Sequence, residues 1–240
     1  MSSEHIVKSF DDELKQLSQM VAQMGGLAEA QLQAAIEALV ARDAEQAARV
    51  VQSDARIDQL ERQISNQTIR MLALRQPMAQ DLRQIVAALK ISSDIERIGD
   101  YAANVAKRAI ALTQSPPMRP VGGIARMGRL VQQIIKDTLD AFSENDADKA
   151  VAAWKRDQEV DDMYNSLFRE LLTYMMEDPR NIGPSTHLMF IAKNIERIGD
   201  HATNVAEIIH FLVRGEDITE ARPKSDKTSF TVVNAPEDKA

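Results

Sequence analysis

The chain of 240 residues has no cysteine. That excludes disulfides, thiolate metal sites and cysteine nucleophiles, and it suits a reducing cytosol. Aromatic residues make up only 4% of the chain, with a single tryptophan. No apolar run approaches the ~18 residues that a membrane span needs. The opening MSSEHIVKSFDDELKQ is charged and lacks the apolar core of a signal peptide. Basic clusters are also missing, and the net charge is −7. Nucleic acid is therefore not an expected partner, because phosphate contacts need grouped Lys and Arg. No segment alternates apolar and polar residues long enough to make a strand. What remains is rich in Ala, Gln, Leu, Glu and Arg, the strong helix formers. These features predict a soluble, cytoplasmic, all-α protein.

Helix breakers divide the chain into six predicted helices. The first covers about residues 4–41, with Gly25-Gly26 as a point of loosening. Asp43 caps the second, which ends before Pro77, and the third runs over about 78–113. Residues 114–120, QSPPMRP, form the clearest linker. The fourth helix covers about 123–142. Asn145 or Asp146 caps the fifth, which ends near Asp178-Pro179, and the sixth spans about 184–214. The domain reading is a three-helix bundle over 4–113, the linker 114–120, and a second bundle over 121–214. Residues 215–240 lack helical period and read as a disordered tail, unnecessary for folding.

The two halves repeat. IERIGDYAANVA at 95–106 returns as IERIGDHATNVA at 195–206, with ten of twelve positions identical. Asp54 and Asp58 correspond to Asp157 and Asp161. On a helix, Glu96 and Asp100 lie on one face about 6 Å apart along the axis. The apolar stripe Ile91, Ile95, Ile98, Ala102, Val105, Ala109 lies nearly opposite. Helix six places Glu196 and Asp200 opposite Ile191, Ile195, Ile198, Ala202, Val205 and Ile209. The carboxylates are thus expected to point away from their helix's own seam rather than into a dry core.

Asp58 and Glu96 are equidistant from Pro77, and so are Asp54 and Asp100. An antiparallel hairpin then sets Asp58 opposite Glu96 and Asp54 opposite Asp100. The second half has the same arithmetic about the Asp178-Pro179 turn, with a longer loop. Grouped carboxylates without Cys are hard oxygen ligands, suited to Mg²⁺, Ca²⁺, Mn²⁺ or iron. The plainer reading is a solvated acidic face relieved by Arg62, Arg97, Arg156 and Arg197.

Gly99 and Gly199 mark either a close packing contact beside the acidic strip or simply a tolerated small residue. His201 stands where Tyr101 does and is assigned a packing role. Glu207-x-x-His210 matches half of a di-iron motif, but Lys107 and Ile110 occupy the equivalent sites, so it reads as coincidence. Met20, Met24, Met175, Met176 and Met189 read as core filler.

The duplicated IERIGD-x-A-x-N-V-A and the paired Asp/Glu-x-x-x-Asp motifs, on six helices in two halves, closely resemble the PhoU family over about residues 5–213. The resemblance implies two three-helix bundles with multinuclear metal clusters. It places the first cluster on Asp54, Asp58, Glu96 and Asp100, and the second on Asp157, Asp161, Glu196 and Asp200. The ions implied are iron, zinc, manganese or magnesium. It further implies a non-enzymatic negative regulator of the phosphate-starvation response. Such a regulator works with the ATPase subunit of a phosphate ABC transporter and with a membrane sensor histidine kinase, and it can form a homodimer. Two alternatives stay open: a di-metal carboxylate enzyme on a helical bundle, and a metal-free helical adaptor.

Overall fold

The computed structural model describes residues 2–75 and 77–222, with side chains from Phe10 onward. The helices are α1 (Ser2–Ala41), α2 (Ala44–Arg75), α3 (Ala79–Leu112), α4 (Val121–Glu144), α5 (Ala147–Lys155), α6 (Asp157–Glu177) and α7 (Ile182–Arg214). A single 3₁₀ turn, Pro179–Asn181, leads into α7.

Local chemistry sets the helix ends. Asp43 accepts the amide of Gln46 at 2.9 Å, and Asp146 accepts those of Asp148 and Lys149 at 2.9 and 3.0 Å. Each satisfies amides that a helix start leaves orphaned. Just before these caps, Arg42 (φ 56°) and Asn145 (φ 53°) turn the chain through the left-handed region. The linker is tied down, because the Arg42 guanidinium donates to the carbonyls of Thr113, at 3.0 Å, and Ser115. Gly183 and Pro184 sit in the first turn of α7, where proline's missing amide costs nothing.

Helices α1–α3 form one bundle and α4–α7 the other, and both share one continuous core. All six residues of each predicted apolar stripe are buried. At ~1.5–3 kcal/mol for each large aliphatic side chain, these stripes are a main source of stability. Helices α3 and α7 lie antiparallel across the junction of the halves. Asp94 meets His201, Tyr101 meets Arg197 and His201, and Arg108 covers Phe190.

A second antiparallel contact joins α1 to α4 through glycine. A Cβ at Gly25 would sit 2.3 Å from Leu139 Cδ2, and one at Gly128 only 1.7 Å from Ile36 Cδ1. Each glycine receives a large side chain from the opposite helix. Gly25 therefore does not loosen α1, which runs unbroken through it.

Three expectations need correction. The predicted fifth helix divides at Arg156, where the amide bonds to the Ala153 carbonyl (3.1 Å) and the Glu159 amide returns to the Arg156 carbonyl (3.0 Å). No Gly or Pro marks this tightened turn in the sequence. Met176 is 55% exposed rather than core, whereas Met24 is fully buried. The expected tail begins with a docked stretch: Ile218 packs on the core and the Glu216 carbonyl lies 3.0 Å from His210 Nδ1. It docks through single contacts, which leave no periodic signal. Residues 223–240 of that tail lie outside the described residues.

Candidate functional site

Helices α2 and α3 present the first set of carboxylates as a hairpin. Asp54, Asp58, Glu96 and Asp100 are all half-buried. Burial raises the Asp54 carboxyl above its ordinary pKa; a hydrogen bond from Gln31 opposes the rise, and the charges of Asp100 and Asp58 add to it. Burial likewise raises Glu96, with Asp100, Asp58 and Glu61 adding to the rise and Arg97 opposing it. Asp58 and Asp100 thus act on both other members, as the hairpin register requires. Arg97 lies 3.5 Å from Glu96 and 3.4 Å from Asp100, but it is exposed and screened.

Gln31 of α1 closes the inner side. Its amide nitrogen is 3.1 Å from Asp54 Oδ1, 3.4 Å from the Gly99 carbonyl and 3.5 Å from the Val50 carbonyl. All three neighbours are acceptors, which fixes the orientation of the amide. Its own Oε1 is buried with no hydrogen-bond partner among the described residues. Gly99 has the reason offered for it: a Cβ there would stand 2.9 Å from Ile57 Cδ1 and 3.2 Å from Asp54 Oδ1. Gly199 is looser, its nearest such contact being Val160 at 3.4 Å.

The second set is placed differently. Asp157 and Asp161 are each 2% exposed and Glu196 4%, while Asp200 is half-buried. The expectation that the carboxylates of the repeated motif avoid a dry interior therefore fails at Glu196, and Asp157 and Asp161 are buried with it. The segment after α7 reaches this set through Arg222, which meets Asp157 and Asp200.

Arg222 bridges the set. Its Nε is 3.0 Å from Asp157 Oδ2, and its Nη2 is 2.8 Å from Asp200 Oδ1 and 3.1 Å from the Asp200 carbonyl. Thr203 Oγ1 lies 3.2 Å from Asp157 Oδ1 and 2.8 Å from the Gly199 carbonyl. Lys193 lies 2.9 Å from Glu196 Oε2. Asn204 accepts from Arg222 Nη1 at 3.1 Å and donates to Asp94 at 3.1 Å, so this set is wired to the first half.

Sequence reasoning missed Gln31, Thr203 and Arg222. Gln31 had one signal, a polar residue on a face otherwise buried, and Thr203 broke the Ala103 correspondence. Arg222 had none. His201 packs as expected, stacking on Tyr101 at 5.7 Å, and it also lies 2.7 Å from Asp94. Glu207 accepts the Trp154 indole N–H at 2.8 Å, a structural use outside any di-iron motif.

Among the described residues, no three His, Asp or Glu side chains converge as a ready-made metal site. The donor chemistry nevertheless suits hard cations, since both sets are carboxylates and the second already holds a cationic group, Arg222, between two of its members. No helix among the described residues is long and apolar enough to cross a membrane.

A family model described as the PhoU domain matches residues 21–109 and 124–209. A protein of Caulobacter vibrioides named phosphate-specific transport system accessory protein PhoU homolog is 54% identical over 228 residues, covering 95% of this chain and 99% of that protein. A Xylella fastidiosa protein of the same name is 52% identical over 94% of this chain and 93% of its own length. Among solved structures, PhoU from Pseudomonas aeruginosa superposes with TM-score 0.84 at 42% identity, covering 86% of this chain and 100% of that one. The phosphate transport system regulatory protein PhoU from Streptococcus pneumoniae gives 0.81 at 30% identity, covering 88% and 100%.

Proposed function

The chain belongs to the PhoU family, and on that premise we propose that it is an accessory protein of a phosphate-specific transport system. In the finer reading it is a cytoplasmic, non-enzymatic negative regulator of the phosphate-starvation response. Its partners are the ATPase subunit of the phosphate ABC transporter and a membrane sensor histidine kinase. The observation that carries this reading is the near full-length likeness to proteins bearing the accessory name. The fold is compatible with it: two joined bundles offer long helical faces to partners, and a homodimer would double them. Reaching the membrane would depend on protein partners, because the chain is acidic and lacks a basic lipid-binding helix.

Metal ions of the iron, zinc, manganese or magnesium type are assigned to Asp54, Asp58, Glu96 and Asp100, and to Asp157, Asp161, Glu196 and Asp200. Such ions would neutralise carboxylate charge that the fold concentrates; at the first set, burial raises Asp54 and Glu96 and the charges of Asp58 and Asp100 add to the rise, which supports the assignment there.

Deleting the gene should switch phosphate-starvation genes on in phosphate-replete medium, and a wild-type copy should restore repression. Full repression in the deletion strain would reject the regulatory reading. For the metals, protein isolated gently from its own cells should lose its first-cluster ions in an E96A/D100A variant, with any ions at the second set unaffected. Unchanged metal content in that variant would reject the assignment.

A further inference from the structure

The basic side chain inside the second cluster comes from outside both repeats. Arg222 lies beyond the end of α7, and the chain reaches it along a defined course. Gly215 turns in the left-handed region (φ 78°), the Glu216 carbonyl meets His210, Ile218 packs on the core, and Glu220 pairs with Lys155 at 3.4 Å. Arg222 then enters the cluster with its side chain only 20% exposed and uses all three guanidinium nitrogens. Two of them bind the carboxylates of Asp157 and Asp200, two of the four oxygen ligands assigned to a metal there. A guanidinium and a metal ion cannot both occupy the space between these oxygens, and each answers the same excess of negative charge.

We propose that Arg222 is a built-in cation of the second cluster, and that docking of residues 216–222 and metal binding at Asp157 and Asp200 exclude one another. The proposal rests on the metal reading above and deepens it. The two clusters then differ in kind. The first meets exposed Arg97 at its rim and feels the charge of Lys107 at Asp54, and it is open to an ion, while the second is closed until the segment after α7 releases. Linkage makes the effect reciprocal: whatever loads the second cluster frees that segment, and whatever holds the segment weakens the ion. With a docked state populated at about 90% or more, the apparent metal affinity falls at least about tenfold.

The test uses the full chain, Mn²⁺ as probe, titration calorimetry for affinity and amide exchange of residues 216–222 for docking. In an E96A/D100A background, which leaves only the second cluster, R222A should bind Mn²⁺ about tenfold or more tighter than its Arg222 parent. R222Q keeps hydrogen-bonding capacity without charge, should shift affinity in the same direction, and serves if R222A folds poorly. Saturating Mn²⁺ should speed amide exchange at 216–222 in the parent. Equal affinity with and without Arg222, or exchange at 216–222 that ignores Mn²⁺, would overturn the proposal. A D157A/D200A variant separates the two readings. If it binds Mn²⁺ while the second cluster binds none even with Arg222 replaced, the competition is wrong and the metal reading survives at the first cluster. No Mn²⁺ bound by any of these proteins overturns both.

Discussion

Asp54 and Asp157 occupy equivalent places in the two halves, yet they live in different surroundings. Asp54 is half-buried, which raises its pKa, and the neighbouring carboxylates add to that rise against the hydrogen bond from the neutral amide of Gln31. Asp157 is buried, and it is met by the Arg222 guanidinium and the Thr203 hydroxyl. The same charge is therefore in tension with the first half and integrated into the second. Duplicating a motif reproduces its carboxylates but not their partners, since those come from other parts of the chain.

The sharpest way to break this comparison is to remove each aspartate from metal-free protein. D157A leaves Arg222 without its buried partner and should destabilise by about 2 kcal/mol. That is less than the 3–5 kcal/mol of a fully enclosed pair, because Arg222 can swing towards water. D54A removes a repelled carboxylate and should change stability by less than about 0.5 kcal/mol. Paired urea melts check this, and equal losses would erase the contrast.

Cutting the chain after Gly215 should cost about 1–2 kcal/mol, since burial of Ile218 and the Arg222 contacts are both lost. An unchanged thermal midpoint would show that the docked segment contributes nothing.

The glycines sharpen the comparison at smaller scale. G199A should stabilise by about 0.5–1 kcal/mol through helix propensity, because its Cβ meets only ordinary contacts. G99A pushes into Ile57 and Asp54, and it should come out about 1 kcal/mol less stable than G199A. Thermal melts of the two variants side by side give the answer.

The smallest expected effect is in pH. The folded-state pKa values of Asp54 and Glu96 are raised, so the folded protein binds more protons than the unfolded chain in the window above about pH 4, the ordinary carboxyl range. Stability therefore falls as pH rises through that window. Relative to wild type, D54N/E96Q should gain a few tenths of a kcal/mol at pH 7, with the gain shrinking towards pH 4. A pH-independent difference would show that the strain is not electrostatic.

Helix content, the apolar stripes of α3 and α7, the Asp43 and Asp146 caps and the hairpin register of the first acidic set were all legible in the chain. Each depends on spacing within one helix or about one turn, where 3.6-residue periodicity and cap chemistry operate locally. Symmetry between the halves was legible as well, and it suggested two equal sites. The division at Arg156, the burial of Asp157 and the entry of Arg222 were not. Gln31 reaches Asp54 across 23 residues and Arg222 reaches Asp157 across 65, and nothing local encodes either meeting. The sequence determined where the carboxylates lie on their helices. Tertiary structure decided which of them face other carboxylates and which face a cation, because the energy of a buried charge depends on the partners that folding brings to it.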